Sequence, residues 1–171
     1  MGMRRSLSIW LFPALIATVS FLILPLATGA QSGDVDQALS EMLAEAQEQV
    51  EFVTVEELAA LLEAGHEMTL VDVRTQAEFE GGHLRGAVWA PRGKLEWLAA
   101  KGTLGSTSDE IVVYCKTDGR SILAATTLKQ LGFEQVRYVE GGFESWVTSG
   151  RSIYNLHGEL QVVEYGKSEE E

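Results

Sequence analysis

A chain of 171 residues holds one domain of ordinary size plus short extensions. Its 13 lysines and arginines stand against 25 aspartates and glutamates, which excludes a nucleic-acid binder, whose phosphate contacts need clustered cations. One cysteine excludes an internal disulfide, and with three scattered histidines it makes no metal-ligand spacing, so no metal or other cofactor is expected.

In chain order, Arg4 and Arg5 precede an almost unbroken apolar run from Leu7 to Leu26. Ala27-Thr28-Gly29-Ala30 then offers small residues for cleavage before Gln31. Residues 1–30 have the pattern of a secretory signal peptide, so the protein is expected to be exported, and periplasmic in a bacterium. The run is also long enough to span a bilayer. Pro13, Pro25 and the small-residue site favour cleavage over an uncleaved anchor through residues 7–26, the one route to a membrane. Without residues 1–30 the chain carries 11 basic and 25 acidic residues, a net charge of −14. Eleven of those acids lie between Gln31 and Val73, with no lysine or arginine among them.

Residues 31–51 form an acidic extension in which Val35, Leu39, Met42, Leu43 and Ala46 recur at helical spacing. This amphipathic helix over 34–50 either lies on its own domain or projects as a partner-binding arm. Phe52-Val53 reads as a short strand, and Thr54 with Glu57 as a capping box opening a helix through Leu58, Leu61 and Leu62 that Gly65 ends. Strands follow at 68–73 and 87–89, then a helix at 93–101, a strand at 111–114 and its helix at 121–131. A strand at 136–139 and a helical turn from Gly141-Gly142 to Trp146 complete the body. Strands alternating with helices define an α/β fold, a parallel sheet with helices on both faces. Residues 151–171 are a C-terminal extension whose polar, acidic end is expected to fray.

The chemistry concentrates at Ile111-Val112-Val113-Tyr114-Cys115-Lys116-Thr117-Asp118-Gly119-Arg120-Ser121. A lone cysteine is most often a small buried hydrophobe. Cys115 instead stands at the end of a strand, where ligands bind in open α/β sheets, and polar or glycine residues follow it as if that end faced water. Loop amides, a helix N-terminus and the nearby Arg120 guanidinium all favour thiolate over thiol, the form that acts as a nucleophile.

Four motifs in order, Leu70 to Arg74, Gly82 to Ala87, Cys115 to Ser121 and Gly141 to Trp146, resemble the rhodanese family of single-domain sulfurtransferases. The likeness covers about residues 52–150. It implies a rhodanese-like, five-stranded parallel sheet flanked by helices, with Cys115 at the base of a cradle-shaped loop. There the thiolate takes the outer sulfur of a donor such as thiosulfate, becomes a persulfide, and yields that sulfur to a thiophilic acceptor. The implied partners are a small anionic donor and that acceptor, or a protein persulfide. Amides of Lys116, Thr117, Asp118, Gly119, Arg120 and Ser121 would hold the anion, Arg120 would tie the loop or neutralise the donor, and Lys116 would attract it from the rim.

Four residues separate Cys115 from Arg120, as in the family's sulfurtransferases; its phosphatase and arsenate-reductase relatives have one more. Asp118 stands where glycine is usual, and its carboxylate repels an anionic donor unless it points outward or pairs with Lys116 or Arg120. Asp72, Arg74, Glu78 and His83 are expected to support the site, with Glu78 as partner of Arg74 and His83 in packing and hydrogen bonding. His66 and His157 are expected at the surface, and Trp89 and Trp146 in core or rim packing. The rival reading is a non-catalytic rhodanese-like module that binds a partner or senses redox state.

Overall fold

The protein's structure, a computed structural model, describes residues 32–162. The expected signal segment and the acidic end of the tail lie outside those residues. Helix α1 (Ser32–Gln47) leads into strand β1 (Glu51–Val53), helix α2 (Val55–Glu63), strand β2 (Thr69–Asp72) and helix α3 (Gln76–Gly81). Strand β3 (Val88–Trp89) follows, then a 3-10 turn at Arg92–Lys94, helix α4 (Leu95–Ala100) and strand β4 (Glu110–Tyr114). Helix α5 (Gly119–Gln130), strand β5 (Gln135–Val139) and helix α6 (Gly142–Thr148) complete the body, and strands β6 (Ile153–Asn155) and β7 (Gly158–Leu160) form a hairpin after it.

Five strands make one parallel sheet in the order β1-β5-β4-β2-β3, with β4 in the middle. Its strands are apolar on both faces because helices cover both. Along β4, Ile111 and Val113 join one core with Leu95, Ile122, Ala125, Leu128 and Val136, under α4 and α5. Val112 and Tyr114 point the other way, into a core with Leu58, Leu70, Phe143 and Trp146, under α2 and α6. The period-two alternation of a strand divides one five-residue run between two cores.

Helix α2 starts at the expected capping box. Thr54 Oγ1 accepts from the Glu57 amide, and the Glu57 carboxylate accepts from the Thr54 amide. A second box of the same kind, Thr75 with Glu78, opens α3, a helix that the sequence reading did not anticipate. The C-terminal hairpin was not anticipated either. The residues of α1 settle its placement: the second half lies on its own domain. Ala46 is buried, as is Val50 just beyond the helix, the Thr126 hydroxyl donates to the Ala46 carbonyl (3.2 Å), and Gln47 donates to the Tyr138 hydroxyl (3.1 Å). Val35, Leu39 and Met42, further up the same helix, remain exposed.

Candidate active site

At the C-terminal end of β4 the chain leaves the sheet at Cys115 and re-enters regular structure at Gly119, the first residue of α5. The turn between them is held from outside by the start of α6. The Phe143 amide donates to the Cys115 carbonyl and the Glu144 amide to the Lys116 carbonyl, both at 2.9 Å. These are amides that a helix N-terminus leaves without intrahelical partners, so loop and helix satisfy each other. The approach is close enough to require glycine. Gly142 has φ +57°, and a Cβ there would lie 2.3 Å from the Thr117 carbonyl oxygen and 2.6 Å from that of Cys115.

Asp118 takes neither of its expected positions. Its Oδ1 accepts the Gly141 amide at 2.7 Å, so the carboxylate stitches the loop to the turn before α6 rather than pairing with Lys116 or Arg120. The Asp118 carbonyl accepts the Ser121 and Ile122 amides, which starts α5. Gly119 lies under Leu43 of α1. The outcome for the thiol differs from expectation as well. Lys116 and Thr117 face water, but Cys115 is 1 % exposed, because it continues the inward alternation of Ile111 and Val113 beneath the folded loop. The Ser121 hydroxyl lies 3.5 Å from Cys115 Sγ and 2.8 Å from the Asp118 carbonyl, and it donates to one or the other.

Arg120 is held by a carboxylate from α3. Its two terminal nitrogens donate to the two oxygens of Glu78, each at 2.9 Å, in a fork that fixes the guanidinium plane. Hydrogen bonds from Arg120 first, and from Thr75 second, hold the Glu78 carboxyl at about 2, against an ordinary 4.5. The Arg120 pKa is raised, by Glu78 above all and by the neighbouring Cys115 thiol in addition.

The expected pairing of Arg74 with Glu78 does not form. Arg74 pairs with Asp72, which takes hydrogen bonds from the Arg74 amide, Nε and Nη2, the last at 2.7 Å. Both residues sit at the end of β2 on one side of the chain, and Arg74 lies before α3 begins. Arg74 Nη2 also donates to the Gly82 carbonyl (2.6 Å), and the guanidinium covers the Phe143 ring with its carbon 3.8 Å from the centroid. Burial pulls the Arg74 pKa down, and the hydrogen bonds and charge of Asp72 more than reverse it. Tyr114, buried and accepting the Leu84 amide through its hydroxyl, has its phenol pushed well up by burial and then by the charge of Asp72.

His83 Nδ1 donates to the Phe79 carbonyl (3.0 Å), and its ring stacks on that of Phe79, with centroids 4.0 Å apart. His66 lies at the opposite end of the sheet, against Glu110 at the start of β4, and His157 is exposed in the hairpin turn. Trp146 is buried and donates to the Ser152 carbonyl, while Trp89, half-buried, donates to that of Arg74. Among the described residues no three of His, Cys, Asp and Glu converge as a metal site.

A cavity of about 400 Å³ opens beside the loop, walled by Arg74, Glu78, Lys116, Phe143, Ile153 and Val162. Phe143, Ile153 and Val162 were not among the residues read from sequence as belonging to the site. Phe143 had a signal, since it follows the Gly141-Gly142 pair that lets α6 approach the loop. The two aliphatic residues had none, because what places them is the fold of the hairpin.

Comparison with known proteins agrees with this geometry. Residues 54–149 match the rhodanese-like domain family. Thiosulfate sulfurtransferase 18 of Arabidopsis thaliana is 36 % identical over 111 residues, covering 58 % of this chain and 80 % of that protein. Among solved structures, the polysulfide-sulfur transferase homodimer of Wolinella succinogenes aligns with TM-score 0.61 and 30 % identity, over 74 % of this chain and 94 % of that one. A human single-domain sulfurtransferase aligns with TM-score 0.55 and 26 % identity, over 60 % and 99 % of the two chains. With a family match over more than half its length, and a central strand that ends in a loop-held cysteine, the chain belongs to the rhodanese-like family.

Proposed function

We propose that the protein is an exported sulfurtransferase that carries sulfane sulfur on Cys115. The observation that carries the reading is the placement of the lone thiol at the end of the central strand, in a loop that the start of α6 clamps and whose Arg120 is fixed by Glu78. Cys115 Sγ attacks the outer sulfur of the donor. A new S–S bond forms, the donor's S–S bond breaks, and the leaving group departs with the electron pair, as sulfite when the donor is thiosulfate. A thiophilic acceptor then attacks the outer sulfur and returns the thiolate. Arg120 opposes the negative charge in both steps, and Lys116 draws an anionic donor to the rim. With Asp118 bound to the Gly141 amide, its charge is partly answered before any donor arrives. The names of the Arabidopsis thaliana and Wolinella succinogenes relatives support thiosulfate and polysulfide as donors.

Intact-protein mass spectrometry after exposure to thiosulfate tests this. One added sulfur on the wild type and none on Cys115→Ser, removed by cyanide as thiocyanate appears, is the expected result. The burial of Cys115 favours a second reading, a partner-binding or redox-sensing module, because buried cysteines are often inert. That reading takes over if neither thiosulfate nor polysulfide adds sulfur.

A further inference from the structure

Val35, Leu39, Met42, Leu43 and Ala46 share one face of α1, since a helix turns by about 100° per residue. Only the last part of that face is seated on the domain. The Ala46 carbonyl accepts from Thr126, midway along α5, and Leu43 lies over Gly119, its first residue. Followed back from Ala46, α1 therefore runs towards the start of α5. At about 1.5 Å per residue, Leu39 and Val35 stand about 6 and about 12 Å further in that direction than Leu43. The start of α5 is the end that follows the Cys115 turn. The free half of α1 thus overhangs the edge of the sheet where that turn and the exposed Lys116 lie.

The overhang is apolar and uncovered: Val35, Leu39 and Met42 are 59 %, 47 % and 53 % exposed. The apolar period runs on where this domain has little to bury. Around that stripe the charge has one sign. Helix α1 carries Asp34, Asp36, Glu41 and Glu45 and no lysine or arginine. A second copy of this face would set carboxylates against carboxylates, and an anionic lipid surface would meet the same repulsion. An apolar stripe flanked by basic side chains answers both features at once.

We infer that the overhanging half of α1 docks a basic amphipathic helix of a partner protein and holds that partner beside the Cys115 turn. Apolar anchors spaced i, i+3, i+4 and i+7 lie along Val35, Leu39 and Met42, and flanking lysines or arginines face the acids. Three half-exposed side chains make a small interface, so the association is weak, reversible and lost as salt rises.

The probe is a fluorescein-labelled synthetic helix with leucines at that spacing and lysines elsewhere. Anisotropy compares it with the same peptide carrying glutamates for lysines. The protein is expected to bind the lysine peptide about tenfold more tightly or better. Leu39→Ser and Val35→Ser should each weaken that binding about fivefold or more. Leu131→Ser is the control. Leu131 is also 47 % exposed but stands at the far end of α5, and its loss should change binding by less than about twofold. An amine-to-amine cross-linker should join the bound peptide to Lys116 and leave Lys129, in the last turn of α5, unlinked. Equal binding of the two peptides, equal effects at Leu39 and Leu131, or linkage to Lys129 as readily as to Lys116 overturns the inference. So does a dimer in sedimentation velocity that Leu39→Ser dissolves, which would give the face to a second copy. Sulfur loading enters none of these readouts, so the docking surface and the proposed chemistry stand or fail separately.

Discussion

At Gly142 the backbone of α6 and the carbonyls of the cysteine loop leave no room for a methyl group, and φ +57° disfavours any side chain. Gly142→Ala is expected to cost about 2–4 kcal/mol in urea denaturation and to slow sulfur loading at least tenfold, since the atoms that must yield are the loop's own backbone. Gly86→Ala is the control. Its φ is +74° but the space around it is open, so a loss of only about 1 kcal/mol with unchanged loading is expected. Glu78 gives a pH signature. Its carboxyl sits at about 2 when folded and near 4.5 when unfolded, so its stabilisation is complete above the higher value and disappears as pH falls through the lower. The pair is about a third exposed, and after screening we expect it to supply about 1–2 kcal/mol. Glu78→Gln should flatten that acid limb in denaturation midpoints measured across the interval, and should slow loading because Arg120 is released. Cys115 and Arg120 were legible in sequence because strand, loop and helix stand consecutively there. The partner of Arg74 was not. Glu78 was expected there, but Arg74 precedes the helix, and Glu78 is occupied as the third residue of a capping box.

Among the elements, α1 joins two different surfaces in one helix. Ala46 lies in the core beneath it, and Leu39, less than two turns earlier, is 47 % exposed. Ala46→Asp, which places a carboxylate in that core, is expected to lower stability by about 2–4 kcal/mol, and Leu39→Ser to change it by less than about 0.5 kcal/mol, both read from chemical denaturation. Equal small effects would mean that α1 does not lie on the domain. The long elements were legible because their side chains report to a core: Leu58, Leu128 and the alternating run of β4 each carry the period of the structure they occupy. Helix α3 was not, since none of its residues is buried and hydrophobic periodicity had nothing to mark. Its only local signal was Thr75 with Glu78, the same spacing that disclosed α2 at Thr54 and Glu57. The hairpin was hidden for a related reason. Its strands have three residues each, and only Ile153 reaches a core.

At the scale of the whole molecule, the parallel sheet places every strand's C-terminal end on one side, so loops distant in sequence meet there: Arg74 after β2, Cys115 after β4, Gly141 after β5. The α/β class was legible from alternation and the number of strands from the family likeness, but the order of the strands was not read, because pairing between distant strands leaves little local trace. The N-terminal pattern makes a separate prediction. Expressed with its own first 30 residues in a Gram-negative host, the protein recovered from the periplasm should begin at Gln31 by N-terminal mass spectrometry; a retained Met1 on membrane-bound material would mean an uncleaved anchor. The clamp of α6 on the cysteine loop has a consequence in time. A chain that emerges from its N-terminus delivers Cys115 well before Gly141, Phe143 and Glu144, whose amides bind the Asp118 carboxylate and the Cys115 and Lys116 carbonyls. Until those residues arrive, the thiol sits in an unfinished turn. The loop around the proposed nucleophile is therefore closed late, and a product that stops before Gly141 carries Cys115 in a loop without its clamp.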